Sequence, residues 1–178
     1  MAKKNPVSET AKRIQRTEAY AEKVRKMFAQ TVNDILALNK SIPKLEEGVM
    51  FSFDDTSEKM QKEVEDALKR LHSSALLAIE QGITLEWEQA NAECDELVSS
   101  IYGEKALSDP KLSAVMQRNT SAMKAFIERT ENGLNLSDRV WLPVRQLRDE
   151  MEVAMTVAIG SGKSAASISR TVRECLND

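Results

Sequence analysis

Residues 137–176 read SDRVWLPVRQLRDEMEVAMTVAIGSGKSAASISRTVRECL. Val144, Leu147, Met151, Ala154 and Ala158 recur at steps of three and four, the spacing of a helix with one buried face. A second stripe follows at Ala165, Ile168, Val172 and Leu176. Between the two lies Gly160-Ser161-Gly162-Lys163-Ser164, which ends like a phosphate-binding loop. Such a loop needs Gly-x4-Gly-Lys-Ser/Thr after a buried strand, because the first glycine lets the backbone aim N–H groups at phosphate. That first glycine would fall at Val157, and a helical pattern precedes it. The loop therefore reads as a turn between helices. Gly160 is expected to end one helix in the left-handed conformation, and Ser164 to cap the next. GKSAASISRTV also has the small-residue pattern of a DNA-reading helix-turn-helix, but its second helix carries only Arg170 and Arg173, beside Glu174. The stretch predicts a C-terminal helical hairpin.

The rest of the chain carries the same punctuation. Ser8 is a candidate cap, and nothing from there to about Asn39 breaks a helix. Ile14, Ala21, Phe28 and Ile35, interleaved with Thr17, Val24, Thr31 and Leu38, form a heptad weakened by alanine and threonine. Pro43 stops this helix, and the run Val49–Phe53 is expected to pack into the core with Phe51 and Phe53. Asp55, Thr56 and Ser57 offer caps for a second helix striped by Met60, Val64, Ala67, Leu68, Leu71, Ala75 and Ala78, with a loose Asp55-x-x-Glu58 capping box. Gly82 is expected to end it. Thr84 would cap a third helix facing the core with Trp87, Ala90, Cys94, Leu97, Val98 and Ile101, up to Gly103. Asp109-Pro110 would start a fourth helix, carrying Leu112, Met116, Met123, Phe126 and Ile127 and ending near Asn132-Gly133. Ser137 opens the hairpin, and Pro143 predicts a separate turn at 138–142 or a kink. The expected fold is all-α, with about six helices, a long N-terminal one and a C-terminal hairpin. Three regions share one structural unit: a basic arm and long helix at 1–44, an acidic helical bundle at 45–136, and the hairpin at 137–178.

Composition narrows the chemistry. The one histidine, His72, and two distant cysteines, Cys94 and Cys175, form no zinc pattern, and a di-iron bundle needs more than one Glu-x-x-His pair. His72 reads as a surface or boundary residue, and Cys94 as a small core residue. No catalytic residue, cofactor or metal is expected, and no apolar run approaches the ~20 residues of a membrane span. Residues 1–44 hold ten Lys/Arg against four Asp/Glu, residues 45–107 five against fifteen, and residues 108–178 ten against nine. The basic first segment, with Lys12, Arg13, Arg16, Lys23, Arg25 and Lys26, is a candidate nucleic-acid contact. It also suits the acidic middle of its own chain or of a neighbouring copy.

At SDRVW, the Leu147/Met151 stripe and IGSGKSAASISRTVRECL, the sequence resembles the phage head-morphogenesis proteins, the minor head proteins of the Mu F-like kind. Ser137, Arg139, Trp141, Gly162, Ser164, Ile168 and Leu176 carry the match, over about 40 residues. Members usually continue into a further, often Cys/His-containing region, so this chain is expected to be a fragment or a stand-alone relative. The resemblance implies a non-enzymatic assembly protein that associates with portal or capsid proteins, in the host cytoplasm during assembly and then in the virion. Arg139, Trp141, Arg145 and Arg148 are the expected partner-contact or fold-determining residues. DNA contact and homo-oligomerisation are further expectations; membrane association is not. The alternative is a helical nucleic-acid-binding or adaptor protein using the basic N-terminal helix.

Overall fold

The computed structural model describes residues 6–38, 48–103, 109–110, 120–162, 167 and 170. The described residues form four α-helices: α1 (Pro6–Leu38), α2 (Glu58–Tyr102), α3 (Thr120–Glu128) and α4 (Leu136–Gly160), with a 3-10 turn at Phe53–Asp55. The described residues are helical apart from turns, one 3-10 turn and an isolated bridge, so the all-α class holds, and four α-helices are seen among them where about six were expected for the whole chain. None of the described helices is long and apolar enough to cross a membrane. The expected cap Ser164, the stripe residues Ala165, Ile168, Val172 and Leu176 of the hairpin's second arm, and Leu112 and Met116 of the expected fourth helix lie outside the described residues.

The second and third expected helices are one continuous helix, and the reason is local. Gly82 does not end a helix; α2 runs through it. A glycine inside a helix costs only about 1 kcal/mol relative to alanine, which the surrounding turns can offset. Thr84 does not cap a new helix either. Its hydroxyl donates to the Glu80 carbonyl one turn back, at 2.9 Å, as threonine does in mid-helix. Pro143 likewise lies inside α4, so there is no separate turn at 138–142. Losing the proline N–H and accommodating its ring costs a helix about 3 kcal/mol. Against this, Val140, Val144, Leu147, Met151 and Met155 are buried on the same helix, each contributing about 1.5–3 kcal/mol.

The chain divides into two compact units, 1–78 with 137–178, and 79–136. In the first, the last turns of α1, the first half of α2 and α4 enclose a core. Its members include Val32 and Ile35 from α1, Val64, Leu68 and Leu71 from α2, and Val144, Leu147, Met151 and Met155 from α4. Phe51 and Phe53 are buried in it, edge to face at 5.2 Å, as the short apolar run suggested. Ser57 supplies the cap of α2: its hydroxyl accepts the Met60 N–H at 3.3 Å, in place of the expected Asp55/Glu58 box. Helix α1 begins at Pro6, so Ser8 lies within the first turn rather than capping it. The buried Thr31 satisfies its hydroxyl on the Met27 carbonyl at 3.0 Å.

In the second unit, α2 closes at Gly103, whose φ of +84° is the left-handed terminus expected there. Asn132 (φ +53°) and Gly133 (φ +79°) form a turn of the I′ type, and Glu131 and Leu134 exchange both backbone hydrogen bonds across it. Helix α3 ends at Glu128, before that turn. Cys94 is exposed, not a core residue, because its face of α2, with Ala90, Leu97 and Ile101, is exposed as a whole. At the end of α4, Gly162 (φ +66°) takes the left-handed conformation in place of Gly160. The helix itself ends at Gly160, as expected, with the Ser161 N–H closing its last turn on the Val157 carbonyl at 3.0 Å.

Candidate functional site: a cleft beside Trp141

Three of the residues singled out in the sequence share one cleft of about 470 Å³ in the first unit. Trp141, Arg145 and Arg148 stand one helical turn apart along α4 and line it together with Val64, Leu68 and Glu65 of α2 and Phe53 and Asp54 of the 3-10 turn. The i, i+4 and i, i+3 spacing puts them on one face.

Trp141 is positioned from below. The His72 ring meets it edge to face, with centroids 4.9 Å apart. The His72 Nε2 lies 3.0 Å from the Ser137 carbonyl oxygen and 3.2 Å from the Ser137 hydroxyl. A carbonyl only accepts, so the contact assigns the proton to Nε2. His72 therefore ties α2 to the first turn of α4 and supports the indole. Arg145 stands over the indole at 5.9 Å, is exposed, and makes no ion pair among the described residues. Arg139 is half-buried on the same helix and does not line the cleft.

Arg148 serves the fold as well as the cleft. It donates to Asp54 at 2.6 Å and lies 3.5 Å from the Glu152 carboxylate. The same Glu152 oxygen accepts the Phe53 N–H at 2.8 Å and the Ser52 hydroxyl at 3.3 Å. One turn further, the Thr156 hydroxyl accepts the Phe51 N–H at 2.9 Å. Arg148, Glu152 and Thr156, spaced by four, thus strap the Phe51–Asp54 segment onto α4 and form one wall of the cleft. Gln61 completes that wall by donating to the Asp54 and Thr56 carbonyls at 2.7 and 2.9 Å.

On the opposite side, Lys69 donates to Glu65 at 2.6 Å. This hydrogen bond, and then the lysine's charge, hold the Glu65 carboxyl below its ordinary 4.5. The same pair raises Lys69 above its ordinary 10.5. The cleft thus offers an aromatic edge, an apolar floor, the Arg145 guanidinium with no ion pair among the described residues, and three carboxylates: Asp54 and Glu65, engaged with Arg148 and Lys69, and the exposed Asp149. That set suits recognition of a partner segment bearing an apolar side chain and a carboxylate.

The six basic candidates of the N-terminal segment all lie on α1, in or beside its exposed half. Lys23 and Lys26 share a concavity: with Arg70, a residue the sequence does not single out, they line a groove of about 430 Å³ beside Met27 and Leu71. Asp34 sits in the same groove, and Lys26 lies 3.7 Å from Glu22. Lys12 is bonded to Glu9 at 3.0 Å and Arg25 lies 3.6 Å from Glu22, so part of the basic charge is balanced on the helix itself. Comparison with family profiles, curated proteins and solved structures found no match to this chain.

Proposed function

We propose that this chain is a non-enzymatic assembly protein of a phage or prophage head, a minor head protein that docks on portal or capsid protein through the Trp141 cleft. The observation that carries this reading is the uncommitted Arg145 over the Trp141 indole at the mouth of the cleft. Trp and Arg supply most binding energy at protein interfaces, because each buries a large surface while offering a directional polar group. Two of the residues on which the head-morphogenesis resemblance rests, Ser137 and Trp141, are both held by His72 at this site. On this reading the protein works in the host cytoplasm during assembly and is then carried in the virion.

The test is co-purification with a phage portal protein co-expressed with this chain. Trp141→Ala and Arg145→Glu are expected to weaken retention by at least tenfold, the loss of one interface hot spot. Equal retention of both variants and wild type would overturn the reading. A second reading rests on a different observation: the basic side chains of α1 lie on its exposed half, and two of them meet Arg70 in a groove. It makes the chain a nucleic-acid-binding or adaptor protein, with affinity that falls as salt rises.

A further inference from the structure

Helix α1 carries one heptad stripe, and the fold covers only half of it. Phe28 packs partly against the core, and Thr31 and Ile35 are buried. Towards the N-terminus the stripe continues as Ile14, Thr17 and Ala21, all exposed, with Ile14 at 54%. A second uncovered stripe lies on the last turns of α2. Ala90, Cys94, Leu97 and Ile101 follow the same heptad spacing, and Leu97 and Ile101 are 59% and 61% exposed. A heptad seam in water is stable only when a partner helix fills it.

The two stripes match in length and oppose in charge. Ile14 to Val24 and Ala90 to Ile101 each span about three helical turns, roughly 15–17 Å. Residues 9–26 around the first stripe hold six Lys/Arg against three Glu, with Arg25 paired to Glu22, whereas residues 86–101 around the second hold five Asp/Glu and no Lys or Arg. Each stripe set against itself would bring like charges together; set against each other they pair opposite charges.

We propose that the exposed half of α1 in one molecule docks along the distal face of α2 in a second copy of this chain. The contact is heterologous, because it joins two different surfaces. Three turns of two helices make a small interface, so self-association is weak, reversible and salt-sensitive. The contact uses neither Trp141 nor Arg145 and is independent of docking on a portal.

Cys94 makes the arrangement testable. One tagged preparation carries Ile14→Cys with Cys94→Ser and Cys175→Ser; an untagged one keeps Cys94 and carries only Cys175→Ser. The two are mixed at low salt and treated with a short bis-maleimide. The expected product is a mixed dimer joining position 14 of one chain to Cys94 of the other. Its yield should fall about tenfold or more at ~1 M salt, where the screening length is about 3 Å. Leu97→Glu in the untagged chain should have the same effect with helicity by circular dichroism unchanged, since Leu97 is exposed. Absence of the mixed dimer, or products joining mainly two Cys94 chains or two Ile14→Cys chains, would overturn the proposal.

Discussion

Replacing Glu152 with alanine should destabilise the first unit by about 2–3 kcal/mol. The carboxylate accepts the N–H of Phe53, whose side chain is 1% exposed, at 2.8 Å. Without that acceptor the amide is left unsatisfied at the edge of the core, a cost of about 1–3 kcal/mol. The contact with Arg148 adds less than about 1 kcal/mol, because the arginine is part-exposed and keeps Asp54 as a partner. Glu152→Gln keeps an acceptor oxygen and should cost about half as much. The assay is urea unfolding followed by tryptophan fluorescence in a Trp87→Phe background. This leaves Trp141, in the same unit as Glu152, as the only probe. A Glu152→Ala midpoint within about 0.5 kcal/mol of wild type, where ordinary surface substitutions fall, would refute the strap as a stabilising element.

Other consequences follow from single contacts. His72→Ala removes the hydrogen bond to Ser137 and the edge-to-face contact with Trp141, and should cost about 2 kcal/mol in the same fluorescence assay. In an NMR titration the Glu65 carboxyl should titrate below 4.5, and Lys69→Met should move it back up. Because the folded carboxyl is depressed, whatever the pair contributes to stability is present at neutral pH and lost as pH falls through that lowered value. If α1 binds DNA, neutralising Lys23, Lys26 and Arg70 together should flatten the slope of log affinity against log salt by up to about three contacts' worth, read by fluorescence anisotropy. An unchanged slope would remove the groove from that reading.

The helical class and the main core stripes were legible because burial follows the 3.6-residue period. Val64 to Ala78 and Val144 to Ala158 read as they fold. Gly82 misled because a glycine in a helical pattern signals a break only when the neighbouring turns do not outweigh it. The distal stripe of α2 misled for a different reason: periodicity shows that a face is apolar, not that the chain itself covers it. Trp141, Arg145 and Arg148 stood out by residue type. Glu152 and Thr156 did not, since their spacing is that of any solvated helix face, and their partners lie 99 and 105 positions away. Gln61, Asp54 and His72 became site residues only when the folded chain brought two helices and a turn together.

The most direct test of the docking account is a photo-cross-linker at position 142, next to Trp141 and exposed, in heads assembled with this chain. The account predicts a covalent product with the portal or capsid protein that disappears on Arg145→Glu. Assembled heads that contain the chain but give no such product, or give it equally with Arg145→Glu, would contradict it.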